Sequence, residues 1–577
     1  MGCVLDLAKA DAPGRLARMA ALGMNFAVLP LDGVEAVTDA PFDAAVIRGV
    51  LDPVLNTAAE KGVSVVVQLS QDALGHAVQA QAPDILAPGF VTLSHPALLA
   101  ALKRHVQAVG EAVAGRETVM GVSVAESPAF KFDGDAVREQ FIKRVQEQYP
   151  DRQNLNRIWH AKLADYEEIT IWGDNSKHAY QNQRSYQFDW QSFHTQLIDE
   201  ALSDLRAAAG AACPGLSIMI TLPDTAFEKG EAKYAPDREL VGRLMDVNGC
   251  SVSAGSAAKL PYAIDYPRAI IDYSLQSSYA PRKPVLDLNA AVNPGENLDP
   301  RRCYGVVRTL LWEALISGAS GLAVSADSPV YGRPEAMEAL AVTALDARRL
   351  AGIIRAFVEA PPDVQVLFSQ SSKVMDNGDP HLQSALYAFE GSTFAGYNVR
   401  FITERDIADG GLDRAKVLVM PETPATTDAA FKKMDEFVAK GGAVTRVGNP
   451  IPYNERGTSR ADVIRTTGNT VFVKGMNLPT EYLHAMDTSI VRTALSSIPR
   501  PVNESGYPLE GVHTRHVAVD GVDYLYIVNL RPDPVPCQLA GGTLSGRDLV
   551  QGCDIAFPRT LQPLEPMLLR LDGAAAR

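Results

Sequence analysis

The segment Val63–Leu69, VSVVVQL, constrains the fold more than any other stretch of the chain. Its β-branched residues run together without polar alternation, as expected of a strand buried on both faces of a parallel sheet. A parallel strand cannot be reached by a tight hairpin and needs a crossover, usually helical, on each side. The sequence supplies both crossovers. Val50–Lys61 reads as a helix closed by Gly62 at its C-terminus, and Pro96–Ala114 as the next helix along the chain.

The same strand-then-helix unit recurs through the first part of the chain. Further strands are predicted at Cys3–Leu7, Asn25–Leu31, Val119–Val124, Leu216–Leu222, Val247–Ser253, Lys283–Asn289 and Gly321–Ser325, with helices at Pro13–Leu22 and Arg302–Ser317. Eight such units over residues 1–357 predict an α/β fold, a (β/α)8 TIM barrel. An open Rossmann-like sheet would carry G-x-G-x-x-G after an early strand, and none is present. Between strands four and five, roughly 130–214, lies a helical insertion containing Trp159, Tyr166, Trp172, Tyr186, Phe188 and Trp190. Aromatic rings at a barrel mouth would stack on the C–H faces of a sugar; alternatively, they pack the added helices onto the barrel.

A Pro-rich break at Glu359–Asp363 starts a second, smaller βα series, Val364–Phe368, Val399–Ile402, Lys416–Met420 and Ala443–Val447. Residues 358–500 are therefore expected to form a flavodoxin-like domain. With neither a phosphate-binding loop nor a nucleophile elbow, its expected role is structural or in assembly. Residues 501–577 turn to short alternating strands punctuated by Gly, Pro and Asp, as in a small C-terminal β-sandwich. Several cores are needed in any case, because 577 residues exceed what one can serve.

A net charge of −14 argues against nucleic acid or an anionic membrane as partner. The six cysteines, Cys3, Cys213, Cys250, Cys303, Cys537 and Cys553, are widely spaced, and the histidines show no metal-ligand spacing, so neither a metal nor another cofactor is expected. No apolar run reaches the ~20 residues of a membrane span. Without a basic leader and apolar segment at the start, no signal peptide is visible. The expectation is a soluble protein, cytoplasmic or periplasmic.

The stretch ETVMGVSVAESPAFKFD, Glu117–Asp133, carries the most specific chemical signal. Its apolar run ends in a single carboxylate, Glu126, ahead of a turn-forming Ser-Pro, which reads as a buried strand delivering one acid to the barrel mouth. Other polar residues fall at predicted strand ends: Asp6 and Lys9, Asp32, Gln68 and Gln71, Asp224, and Asp327. Each could line a site or be a solvated loop residue.

The order barrel, flavodoxin-like domain, β domain resembles the β-galactosidases of glycoside hydrolase family 42. The segments AAEKGVSVVVQL, VMGVSVAESP, LNRIWHAKLADYEEI, YQFDW, KPVLDLN, LLWEALISGASGLAVS and DYLYIVNLRPDPVPCQL are similar to pieces of that family. The resemblance implies a hydrolase acting on β-linked galactoside-like oligo- or polysaccharides. It also implies a retaining mechanism and a middle domain that mediates homo-oligomers, typically trimers. Retention needs an acid/base and a nucleophile ~5–5.5 Å apart, which relatives supply as glutamates ending strands four and seven. Glu126 matches the first. Ala125 stands where an Asn would contact the sugar 2-hydroxyl, and Asn289 stands where the nucleophile would be.

An amide cannot form a glycosyl ester. Three acids could compensate: Asp287, on the same side as residue 289 by strand alternation; Glu296, in the loop NPGENLDP; and Asp327, after the last strand. If none does, the chain is a catalytically degenerate relative that binds saccharide without efficient hydrolysis.

Overall fold

A computed structural model describes residues 1–572 apart from 10, 70–73, 76–85, 88–89, 92–94, 129, 131, 133, 172–177, 232–234, 257–260, 376–378, 449–450, 474–477, 491–497 and 541–543. Two of the sequence candidates, Trp172 and Gln71, lie outside the described residues.

The expected barrel forms. Its strands are β1 (Gly2–Val4), β2 (Phe26–Pro30), β3 (Ser64–Gln68), β4 (Val119–Glu126), β5 (Ser217–Pro223), β6 (Asn248–Ser251), β7 (Val285–Asn293) and β8 (Gly321–Val324). They are parallel and neighbour one another in chain order, and β8 pairs with both β7 and β1, so the sheet closes on itself. Each strand leads into a helix: α1 (Ala12–Ala21), α2 (Ala44–Lys61), α3 (Pro96–Val113), α4 (Arg184–Ala212), α5 (Arg238–Leu244), α6 (Asp272–Tyr279), α7 (Pro300–Ser317) and α8 (Pro334–Arg349). The sequence signals explain several of these ends. Asp43 caps α2 by accepting from the amides of Ala45 and Val46, and Gly62 ends it in a left-handed conformation.

Val4, Phe26, Val28, Val66, Met219, Val247, Leu286, Leu288 and Ala323 form a separate cluster that fills the barrel interior. The opposite faces of the same strands join the much larger core shared with the helices. At β6 the approach is so close that a Cβ on Gly249 would lie 2.4 Å from the carbonyl oxygen of Ile220.

The insertion has its own core. Trp159 and Tyr186 are completely buried and Trp190 nearly so, in a cluster with Phe141, Tyr149, Tyr180 and Phe193. Of the two readings of this aromatic segment, internal packing therefore holds for these residues, which are unavailable to a sugar. Inside the cluster Asp189 accepts from the Tyr149 hydroxyl at 2.7 Å and the Trp159 indole at 2.9 Å, and pairs with Arg456 at 3.2 Å.

The second sheet contains β9 (Val364–Phe368), β10 (Val399–Thr403), β11 (Val417–Met420), β12 (Ala443–Val447) and β13 (Thr470–Val473), in the parallel order β10-β9-β11-β12-β13. This is the flavodoxin-like order. One face packs Leu367, Ile402 and Leu418 against Ile407, Met434 and Val438, while the other merges through Phe368, Phe401 and Val419 with the barrel's helical core. Buried charges pin the two units together. Glu231, on a barrel loop, pairs with Arg238 of α5 and with Lys373, just beyond β9.

Last come β14 (Pro501–Val502), β15 (Val512–Val519), β16 (Val522–Asn529), β17 (Val535–Leu539), β18 (Ser545–Asp548), β19 (Asp554–Ala556), β20 (Arg559–Leu561) and β21 (Met567–Leu571). They form a three-stranded and a five-stranded sheet around Val512, Leu525, Ile527, Val535, Leu561 and Leu569. The outer face of the larger sheet lies on the barrel. There the buried Glu313 of α7 accepts from the Tyr526 hydroxyl at 2.6 Å and lies 2.6 Å from His513 Nδ1.

Candidate active site

Barrel enzymes work at the C-terminal ends of their strands, and two irregularities there shape this site. On β4, Ser123 pairs with Met219 but Glu126 pairs with Thr221, so three residues on β4 span two on β5. On β7, Asp287 pairs with Leu322 but Ala290 pairs with Val324, again three against two. Each is a β-bulge, which shifts side-chain alternation by one residue and re-aims the side chains beyond it.

The β4 bulge sets Ala125 fully buried in the outer core and leaves Glu126 half-buried at the strand end. Ser123, one layer deeper, shares a 3.0 Å hydrogen bond with Thr221. Beyond Glu126 the chain turns sharply. Ser127 has φ of 46° and donates its amide to the Thr221 carbonyl at 2.8 Å. A left-handed non-glycine residue at a strand end stores backbone strain that the surrounding contacts must hold.

On β7, Asn289 donates its side-chain amide to Glu126 Oε1 at 3.3 Å. The two strand ends singled out in the sequence therefore meet. Asp287 goes elsewhere, which corrects the expectation that it shares the side of residue 289. With Leu286 and Leu288 pointing into the barrel, Asp287 points outward and is completely buried against α6. Its Oδ2 accepts from the Tyr273 hydroxyl at 2.6 Å and its Oδ1 from the backbone amide of Asn289 at 3.1 Å. Burial pushes its pKa up to about 7, against the pull of those hydrogen bonds. Asp287 thus anchors the bulge that presents Asn289 and is sequestered from the mouth.

The remaining candidates are dispersed around the rim. Asp224 is tied to Arg268 in an ion pair and accepts from the backbone amide of Ser253 at 2.9 Å, so its carboxylate serves loop structure. Asp6 pairs with Lys9 at 3.2 Å. Asp327 is exposed, and the Ser325 hydroxyl, 2.5 Å away, holds its carboxyl below the ordinary range, with Lys9 adding to the effect. Glu296 and Asp32 are exposed on their loops. Gln68 ends β3 buried, and its Oε1 has no hydrogen-bond partner among the described residues. Sequence reasoning missed Tyr273 and Arg268. Neither lies in a motif, and each acts on a strand end through a helix or loop distant in sequence.

Among the described residues no group of three or more His, Cys, Asp or Glu side chains could hold a metal ion. None of their helices is long and apolar enough to cross a membrane.

The closed barrel, the flavodoxin-like sheet and the terminal β-sandwich define a multidomain α/β-barrel protein. Neither a protein-family model nor a curated protein matches the sequence. Solved structures do match, over nearly the whole chain. A catalytic mutant of Gan42B, a glycoside hydrolase family 42 β-galactosidase from G. stearothermophilus, aligns with a TM-score of 0.78 at 13% identity, covering 99% of this chain and 98% of that one. An apo family 42 exo-carrageenase from Bacteroides ovatus gives 0.75 at 17% identity, covering 95% of this chain and 80% of that one. The β-galactosidase from Rahnella sp. R3 gives 0.74 at 14% identity, covering 98% and 96% respectively. The fold of this chain is that of the family 42 β-galactosidases.

Proposed function

We propose that this protein is a glycoside hydrolase acting on β-linked galactoside-like oligo- or polysaccharides, with Glu126 as general acid/base. The observation that carries the reading is the meeting of Glu126, at the end of β4, with the side chain that ends the regular part of β7. Barrel enzymes draw their reacting groups from the C-terminal ends of different strands, and Glu126 is the acid presented where these two strand ends meet. The solved structures sharing the fold include β-galactosidases and an exo-carrageenase, which supports a glycan as substrate.

A second reading, a degenerate relative that binds saccharide without efficient turnover, is favoured by the amide at Asn289 and by the burial of Ala125. Hydrolysis of a panel of aryl glycosides and oligosaccharides by wild type and Glu126→Gln separates the two. Turnover lost in the variant supports the hydrolase. Saccharide binding without turnover by wild type on any member supports the binder. The resemblance further suggests a homotrimer built through the flavodoxin-like unit, and light scattering giving a monomer mass would rule that out.

A further inference from the structure

Position 289 is the place from which a nucleophile would act, yet its side chain is an amide. Asn289 Nδ2 lies 3.3 Å from Glu126 Oε1, in direct hydrogen-bond contact and closer than the ~5–5.5 Å that separates the two carboxyls of a retaining pair. The placement is also built rather than incidental. A bulge turns Asn289 toward Glu126, and the buried Asp287 fixes that bulge by accepting the Asn289 backbone amide. The Asn289 NH2 faces Glu126 Oε1, an oxygen that accepts in the ionised form and, with the proton on Oε2, in the acid form as well. The Asn289 Oδ1 acceptor is thereby directed away from it. A hydrogen-bond acceptor opposite a general acid suits a substrate that brings its own nucleophile together with an N–H to be held.

We propose that this site cleaves 2-acetamido-2-deoxy-β-glycosides by substrate assistance, with Asn289 Oδ1 holding the acetamido N–H and Glu126 as the acid/base; this rests on the hydrolase reading above. In the first step the acetamido carbonyl oxygen forms a bond to C1 as the C1–O glycosidic bond breaks. The electron pair of that bond goes to the leaving oxygen, which takes the Glu126 proton. The resulting oxazolinium keeps its N–H on Asn289. In the second step water bonds to C1 and gives a proton to the Glu126 carboxylate. The C1–O bond to the acetamido oxygen breaks, and its electrons restore the carbonyl. The net reaction is hydrolysis with retention, and water is the only co-reactant. An amide at residue 289 is then the working group, and no carboxylate nucleophile is needed.

The test compares 4-methylumbelliferyl 2-acetamido-2-deoxy-β-galactoside and -glucoside with their 2-hydroxy parents. It adds the mono-, di- and trifluoroacetamido analogues, whose carbonyls are progressively weaker nucleophiles. The acetamido substrates should exceed the parents by about 100-fold or more in kcat/KM, and kcat should fall stepwise with fluorination. Asn289→Ala should lose on the order of 10²–10³-fold, as when one preorganised polar contact to a reacting group is removed. Preference for the 2-hydroxy parents, or indifference to fluorination, would overturn the proposal and leave the hydrolase reading standing. Folded protein that cleaves neither series would overturn both.

Discussion

Replacing Tyr273 by Phe removes one hydroxyl from beneath the site and keeps the ring that packs α6. That hydroxyl donates 2.6 Å to Asp287, which is fully buried with a pKa of about 7 against 3.8 in an unfolded chain. The folded state binds this proton more tightly, so the contribution of Asp287 to stability is fullest below about pH 4 and is lost as pH rises through 7. At about 1.4 kcal/mol per pH unit, full ionisation costs about 4 kcal/mol. A hydrogen bond to a charged group stabilises by about 1.5–3 kcal/mol and one to a neutral group by about 0.5–1.5. Tyr273→Phe should therefore destabilise the barrel by about 1 kcal/mol near pH 5.5 and about 2 kcal/mol near pH 8.5. Urea denaturation monitored by tryptophan fluorescence at both pH values measures the difference. An equal or smaller loss at the higher pH would refute the titration of Asp287 and its role as anchor of the β7 bulge.

Other interactions give sharper losses. Glu231→Gln strands Arg238 and Lys373 as buried cations and should cost about 3–5 kcal/mol in denaturant titration at neutral pH. Burial opposes ionisation of Glu231, but the two cations outweigh it and hold its pKa down to about 2, so in the wild type this stabilisation is present above about pH 4.5 and disappears as pH falls toward 2. Glu313→Ala leaves His513 and the Tyr526 hydroxyl without their shared acceptor and should free the C-terminal sandwich from α7, seen as faster limited proteolysis near residue 500. Gly249→Ala forces a Cβ to 2.4 Å from a backbone carbonyl of β5 and should lower thermal stability by several degrees, whereas the same change at the unobstructed Gly49 should not.

Strand positions in the barrel were legible because buried parallel strands announce themselves as β-branched runs, and every expected barrel strand formed within a few residues. Glu126 was legible for the same reason, as the first charge after such a run. The partner side was misread because alternation assumes a regular ladder. A bulge is a property of pairing with the next strand, so nothing in KPVLDLN alone shows that Asp287 turns outward. Composition revealed the aromatics of the insertion but not their direction, and Trp159, Tyr186 and Trp190 form a core of their own. β13 escaped notice because it is short and largely open to one side.

If Glu126 donates a proton to the leaving group, its removal must matter only where the leaving group needs that proton. A 2,4-dinitrophenolate departs without protonation, while an alkyl or sugar alkoxide does not, so the decisive measurement is the leaving-group dependence of Glu126→Gln. The expected loss is about 10²–10⁴-fold in kcat/KM on unactivated glycosides, with first-step cleavage of the dinitrophenyl glycoside nearly unchanged in pre-steady-state kinetics. Equal losses on both substrates, or no loss on either, would contradict proton donation by Glu126.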